Sequence, residues 1–435
     1  MAQGFVIAAP HSGAGKTLVT LALVRLLQSK GFGVASAKAG PDFIDPVFHS
    51  KAGSAACVNL DLWAMGRDAV IARAHETSRN TDLLVVEGAM GLFDGADDGS
   101  GSTADLANAL DLPVVLVVNA AGQARSAAAL LHGFKTFRSD IRLAGVFFNR
   151  VRSDRHAGLL YAAAEEVGVA PVGFLREDAS LAMPSRHLGL VQAGEYDDLN
   201  AFIDKAADVL GEGLDLDCLL GLTKALTPDA ISTSRLPPLG QRIAIAEDRA
   251  FAFSYPHILS DWRASGAELC LFSPLSDEAP DPSADAVFLP GGYPELHAGR
   301  LSENRRFLDG LRKVAGGALV YGECGGFMVM GRALIDAEGR SHEMAGLLPL
   351  VTTFQERKRT LGYRSLTHAS PLPWPGSLSG HEFHYSTLSS AETENALFEA
   401  KSSKGADLAP MGLKRGRIMG SYAHVIAPSH KGSAI

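Results

Sequence analysis

Apolar and polar positions along this chain fall into two alternating rhythms. The runs "FVIAA", "GVASAK", "LLVVEG", "PVVLVVNAA", "LAGVFFN" and "PVGFL" are short and rich in small and β-branched residues. They read as strands buried on both faces of a parallel sheet. Between them apolar residues recur at helical spacing, as in "KTLVTLALVRLLQSKG" and "ARSAAALLHGFKTF". Gly31 stands where the first of these helices needs a C′ residue. The alternation predicts a doubly wound α/β sheet with ligands at the strand C-termini. Near 226–240 the Pro/Ser/Thr-rich "LTPDAISTSRLPPLGQ" breaks the rhythm and reads as a linker. A second α/β series follows, "RIAIAED", "AELCLFSP", "AVFLPGG" and "ALVYGE", then a more β-like region from about 345 to 425. No internal repeat is visible. The expected organisation is 1–225, a linker at 226–240, and 241–435.

Composition narrows the class. A chain of 435 residues is too long for one ordinary core, and 46% apolar with 20% charged residues is that of a soluble globular protein. A net charge of −8 argues against nucleic acid as the main partner, although a local basic pocket can still hold a small anion. Cys57, Cys218, Cys270 and Cys324 are far apart and form no CxxC pair. That spacing fits neither a disulfide framework nor a zinc site, and points to the reducing cytoplasm. The opening "MAQGFVIAAPHSG" has no basic leader and reads as a first strand rather than a signal peptide. The longest apolar stretch is about half a membrane span, so no membrane partner is expected.

"PHSGAGKT" (10–17) follows a strand and opens a helix, as a Walker A loop does, with Pro10 in place of the first glycine. In such a loop Ser12, Gly13, Ala14 and Gly15 offer backbone N–H groups to phosphate, Lys16 reaches the β/γ-phosphates, and the Thr17 hydroxyl holds Mg²⁺. A mere helix-capping turn is the weaker reading in that context. Two further strand ends carry charge: Lys38, Asp42 and Asp45 in "SAKAGPDFIDPVFH", and Glu87 and Asp94 in "LLVVEGAMGLFDG". Singly, Asp45 or Asp94 is an ordinary turn residue. Together at one sheet edge they are a site in which Asp42 and Glu87 join Thr17 as oxygen ligands for Mg²⁺.

Cys324 stands in "GALVYGECGGF" on a strand-to-helix elbow flanked by Gly322 and Gly325-Gly326. An elbow of that kind exposes a nucleophile and aims backbone N–H groups at an oxyanion. "FLPGGYPE" ends a neighbouring strand, so the N–H groups of Gly292 and Gly325 are the expected oxyanion hole. His424 in "GSYAHVIAPSHK" is the candidate base. A lone cysteine is more often a buried thiol, but the second Gly-Gly turn and the late histidine make that reading the poorer one.

"APHSGAGKT", "KAGPDFIDPVFH", "VVEGAMGLFDG", "PGGYPE", "ECGGFMVMG" and "GHEFHYS" resemble, in order and across nearly the whole chain, the cobyrinic or hydrogenobyrinic acid a,c-diamide synthases. The resemblance implies a dethiobiotin-synthetase-like P-loop domain followed by a triad-type (class I) glutamine amidotransferase domain. It implies ATP, Mg²⁺ and glutamine as the means of turning the a and c carboxylates of a corrinoid precursor into amides. It also implies acidic active-site roles for Asp42, Asp45, Glu87 and Asp94, a conserved-type lysine at Lys38, and adenine recognition by Asn149. Asp45 and Asp94 could orient the incoming group or take a proton from ammonium. Phe43 stands where the family usually has tyrosine, and Ile426 where it often has a second histidine. No acid follows His424 within the same turn, which the family pattern also lacks. "GHEFHYS" does not have the HExxH spacing of a zinc site. Its His381, Glu382 and His384 are expected to orient the amidotransferase site or to face the domain interface. Cobalt-containing and cobalt-free corrins both stand as substrates, and a nickel sirohydrochlorin-type tetrapyrrole is the nearest rival. A regulatory ATPase switch is a poor third, because it would have no use for Cys324, "PGGYPE" or His424. Oligomeric state is open, a homodimer being one option.

Overall fold

The computed structural model describes residues 1–183, 185–186, 189–190, 192–195, 198–226, 233–391 and 395–430; part of the expected linker, 227–232, lies outside the described residues. The chain divides into two compact units, Met1–Thr233 and Ser234–Ile435.

The first unit is built on a mainly parallel sheet. Its strands run from one edge in the order Val58–Leu60, Val34–Ala39, Leu83–Glu87, Gln3–Ala8, Val114–Asn119, Leu143–Val151 and Ala170–Arg176. The short strand Lys224–Ala225 pairs antiparallel with the start of Gln3–Ala8. The unbroken apolar runs have the expected cause: Phe5, Ile7, Val85, Val117 and Phe147 pack under the helix Lys16–Ser29 in one core. That helix ends as its sequence predicts. Gly31 sits at φ 91, its N–H donates to Gln28 O, and Phe32 N–H donates to Leu27 O, the paired bonds of a Schellman motif. Gln3–Ala8 lies between Leu83–Glu87 and Val114–Asn119, so the loop after it opens at the point where strand order reverses, the place where such sheets bind ligands.

The second unit holds a sheet in the order Glu268–Phe272, Arg242–Ala246, Ala286–Leu289, Leu319–Glu323, Ile418–Ser421 and Leu413–Arg415. All neighbours are parallel except the last pair. The β-like region forms two four-stranded sheets. One of them runs Glu399–Ser402, Thr360–Thr367, Ser377–His384 and Ala423–Pro428, antiparallel throughout. Leu319–Glu323 and Ala423–Pro428 matter most, because they end or begin at Cys324 and His424. Among the described residues no helix is long and apolar enough to cross a membrane.

Candidate functional site

Parallel register assembles the charged site of the first unit. Lys38 is the direct cross-strand partner of Glu87, and Glu87 in turn is that of Ile7, just before the phosphate loop. Lys38 Nζ donates to Asp45 Oδ2 at 2.5 Å, to Glu87 Oε1 at 2.9 Å and to Gly88 O at 3.2 Å. Thr17 Oγ1 donates to Glu87 Oε1 at 2.9 Å and lies 3.3 Å from Asp45 Oδ2. Thus Thr17, Lys38, Asp45 and Glu87 form one connected cluster, buried save for the partly exposed Thr17. Lys16 Nζ reaches across to Met90 O at 2.5 Å.

Which carboxylate carries charge follows from its neighbours. Burial would raise the pKa of Glu87, yet Lys38 and His49 against it hold its carboxyl far below the usual range. Burial, and then the nearby Asp42, push Asp45 up to about 6 in spite of Lys38. Lys38 keeps its proton because Asp45 and Glu87 outweigh the desolvation of its ammonium. Removing one partner of such a buried set leaves an uncompensated charge, at a cost of about 3–5 kcal/mol.

Other expected residues sit at the margins of this cluster. Asp42 Oδ1 accepts from the N–H groups of Ile44 and Asp45 at 2.7 and 3.0 Å, so it pins the start of the helix Asp45–Ala52. Asp94 is exposed and accepts from Gly91 N–H at 2.9 Å, closing the turn that presents Met90 O to Lys16. Ser12 and Gly13 lie on the exposed crest of the loop, and Ala14 and Lys16 are buried. Asn149 packs against the loop: its Nδ2 donates to Ala14 O at 2.9 Å and its Oδ1 accepts from Arg150 N–H at 2.9 Å. A Cβ on Gly15, at φ 100, would lie 2.0 Å from that Nδ2, so only glycine fits there.

His49 went unassigned in the sequence, and it is fully buried with Nε2 hydrogen-bonded to Glu87 Oε2. The signal was present. His49 follows Asp45 by four residues on one helix, which puts both on the same face.

In the second unit Cys324 takes φ 46 and ψ −107 between the strand Leu319–Glu323 and the helix Gly325–Val329. Left-handed φ is costly for a residue with a Cβ and concentrates at functional positions. Three of the five described non-glycine residues with positive φ, namely Met90, Arg150 and Cys324, lie beside these sites. The elbow is tied down by Cys324 N–H donating to Ser421 O at 2.8 Å. A Cβ on Gly291 would come within 3.1 Å of His424 Nε2 and 3.2 Å of Cys324 Cβ, so thiol and imidazole converge on one point. A Cβ on Gly325 would come within 3.0 Å of Gly292 N, which brings the two expected oxyanion-hole residues together. Burial, then the carboxylate of Glu295, push the Cys324 thiol well above its usual range, while the Gly325 N–H acts the other way. Burial also raises Glu295 to about 7.

The acid beside His424 comes from an unexpected place. Glu323, the residue before Cys324, is buried, and its Oε2 lies 3.6 Å from His424 Nδ1. Its Oε1 accepts from Tyr321 Oη at 3.1 Å and from Val425 N–H at 3.0 Å. Of the histidine motif, His381 is the register partner of His424 on the neighbouring strand. Glu382 is bridged by Arg364 (2.8 and 2.9 Å) and His384 (2.9 Å), and His384 stacks on Tyr422 at 4.0 Å. Cys324 Sγ lies 3.8 Å from Phe383 O on the same strand. These three residues therefore brace the strand that runs past the thiol. Ile426 is buried, with its carbonyl oxygen held by His257 Nε2 at 3.0 Å.

Comparison with known proteins matches both units. Residues 5–191 match the family described as CobQ/CobB/MinD/ParA nucleotide binding domain, and 242–432 that described as CobB/CobQ-like glutamine amidotransferase domain. The chain is thus an ATP-using amidoligase with glutamine as its nitrogen source, built from a nucleotide-binding unit and a glutaminase unit. It is 51% identical over 425 residues to the hydrogenobyrinate a,c-diamide synthase of Rhizobium meliloti (strain 1021), covering 98% of this chain and 99% of that one. Identity is 50% over 428 residues with the Brucella anthropi protein of that name (98% of each chain) and 47% over 433 with that of Mesorhizobium japonicum (98% and 99%). The chain belongs to the hydrogenobyrinate a,c-diamide synthase family.

Proposed function

We propose that this protein converts the a and c side-chain carboxylates of hydrogenobyrinic acid, a cobalt-free corrin, into amides at the expense of ATP and glutamine. The observation that carries this reading is 51% identity spanning 98% of the chain to a relative named for that substrate. In the amidotransferase unit, the Cys324 thiol loses its proton to His424 as its sulfur attacks the glutamine amide carbon. The N–H groups of Gly292 and Gly325 stabilise the oxyanion, ammonia leaves, and water releases glutamate from the thioester. Glu323 positions His424. In the P-loop unit a substrate carboxylate oxygen attacks the γ-phosphorus and ADP departs. Ammonia then displaces phosphate from the acyl phosphate, giving the amide. Ser12, Gly13, Ala14, Gly15 and Lys16 cradle the phosphates, and Lys38 offsets the charge where two anions meet. Asp45 and Asp94 orient the incoming groups or take up the proton of ammonium, and Asn149 holds the loop on the side toward the base.

The oxygen donors fit a hard divalent cation. Glu87 Oε1 and Asp45 Oδ2 both lie within 3.3 Å of Thr17 Oγ1, and Asp42 adjoins through its hydrogen bond from Asp45 N–H. Mg²⁺ takes one or two carboxylates and completes its shell with phosphate oxygens and water, which matches a hydroxyl and carboxylates beside a phosphate loop. Thr17, Glu87 and Asp42 would hold it, and when bound it supplies positive charge to the β- and γ-phosphates.

The test is purified protein with ATP, Mg²⁺ and glutamine, offered hydrogenobyrinic acid, cobyrinic acid or nickel sirohydrochlorin and read by mass spectrometry. Gain of two amides on hydrogenobyrinic acid is expected. Amidation of the nickel tetrapyrrole alone would contradict the reading.

A further inference from the structure

The P-loop unit carries an apolar face that its own core leaves uncovered. The helix Ala127–Thr136 reads AAALLHGFKT, yet only Ala127 and Leu131 on it are buried. Phe137 follows it and is 72% exposed, the one aromatic of this unit among the described exposed large hydrophobics. The Phe93 ring lies 5.4 Å from Phe134, nearly parallel at 16°, and 4.8 Å from Phe137. Met90, 48% exposed and held at φ 48, flanks the same turn. Phe93 and Phe134 are half-buried, so one open ring, Phe137, stands on two partly covered ones, an unusual grouping on a surface that has no ligand to meet.

The place of this face limits what can lie on it. Met90 belongs to both features: its carbonyl accepts from Lys16 Nζ at 2.5 Å, and Phe93 is three residues further along the same turn. Leu92 N–H donates to Ala9 O and Ala104 N–H to Leu92 O, which fix the turn to the end of the first strand. Lys16 serves the β/γ end of a nucleotide, so a ligand beside Met90 adjoins the γ-phosphate and not the base. A carboxylate that accepts the phosphoryl group hangs from its ring by a few bonds, so the ring itself must rest within several ångströms of Lys16. A broad conjugated ring needs a flat apolar support, and aromatic side chains supply one for any π-face.

We propose that Met90, Phe93, Phe134 and Phe137 form the platform on which the macrocycle of the tetrapyrrole acid lies while one carboxylate arm turns toward Lys16. This rests on the amidation reading above. The platform recognises the ring by its face and leaves the arms to polar groups, so one site can present the a and then the c carboxylate to the same phosphate.

The experiment uses the full chain with Mg²⁺ and a non-hydrolysable ATP analogue, titrated with hydrogenobyrinic acid and followed by ultrafiltration and the visible absorption of the corrin. Phe137→Ala should raise Kd roughly tenfold, equivalent to about 1.4 kcal/mol, with Phe93→Ala changing in the same direction. Phe137→Trp should restore binding, and affinity for the ATP analogue should hold in all three, which also shows that they fold. Equal Kd for the corrin in the wild type and both alanine variants would overturn the platform. So would a loss confined to the ATP analogue, which would make this a base-binding face. Dissociation of a wild-type dimer by the alanine variants with no change in corrin Kd would assign the face to a second copy of the chain. A wild type that fails to bind hydrogenobyrinic acid at all would instead overturn the amidation reading itself.

Discussion

The two units place their chemistry at the same point of the same kind of sheet and build it from opposite materials. In the P-loop unit the site is a knot of charged side chains, Lys38 between Asp45 and Glu87, each held by the others. In the amidotransferase unit the proposed nucleophile is a buried thiol on a residue of positive φ, with one acid, Glu323, 3.6 Å from the histidine. The difference follows from the anions handled. Phosphate and carboxylate arrive already charged and need fixed opposite charge. The oxyanion of glutamine hydrolysis exists only during reaction, and dipoles on a rigid turn serve it without paying to keep an ion in a dry site. Mutations should therefore separate the units by nitrogen source.

The largest effect expected is from Cys324→Ser. Glutamine-dependent amidation should fall by more than about 10³-fold, since a hydroxyl is far less nucleophilic than a thiolate. Amidation supplied with ammonium chloride should persist, because the charged cluster is untouched. Equal loss with both nitrogen sources, measured as amide formed, would end the division of labour.

Glu87→Gln attacks the other unit. It keeps the shape of the site but removes the charge that Lys38, Thr17 and His49 share, and amidation should drop by roughly 10²-fold with either nitrogen source. Glutaminase activity, read as glutamate released, should remain. If the variant is poorly folded, Asp45→Asn supplies the same test at the less strongly ionised carboxylate. Near-normal amidation by both would remove the cluster from the chemistry.

A smaller effect is expected from Glu323→Gln, which leaves the hydrogen bonds near Tyr321 and Val425 partly available but takes the negative charge from beside His424. Glutaminase kcat should fall by about 10- to 100-fold, and Glu323→Asp should recover part of it. A kcat that is unchanged in both variants would make Glu323 only a brace for the strand Ala423–Pro428.

The smallest signal concerns the thiol at rest. Burial favours the uncharged form of Cys324, so without glutamine its alkylation by iodoacetamide, followed on the Cys324 peptide, should still be rising beyond about pH 9. A plateau near neutrality would reveal a thiolate already formed before substrate arrives.

Much of this contrast was written in the sequence, though unevenly. Unbroken apolar runs marked the strands, and charged residues just past their ends marked the P-loop site, because a buried parallel strand has only its C-terminal end to offer. The glycines around Cys324 signalled an elbow by the same local logic. What stayed hidden depended on long-range register. Glu323 reaches His424 because Leu319–Glu323 pairs with Ile418–Ser421, Glu323 opposite Ser421, and no local pattern near His424 announces an acid about a hundred residues earlier. His381 meets His424 through another cross-strand pairing. Asn149 was legible as a strand-end residue, but the contacts of its amide with Ala14 O and the Arg150 N–H are ones that only packing against the loop creates.

The central claim is that ATP activates the substrate carboxylate as an acyl phosphate in the charged unit. Hydrogenobyrinic acid carrying oxygen-18 in its carboxylates tests that claim in a single turnover mixture with ATP, Mg²⁺ and ammonium chloride. ADP is expected as the nucleotide product, with one labelled oxygen in the inorganic phosphate for each amide formed, since the carboxylate oxygen stays on the phosphorus it attacked. Label recovered in AMP with release of pyrophosphate would contradict it, because the reacting bond would then lie at the α-phosphate, away from Lys16 and Lys38.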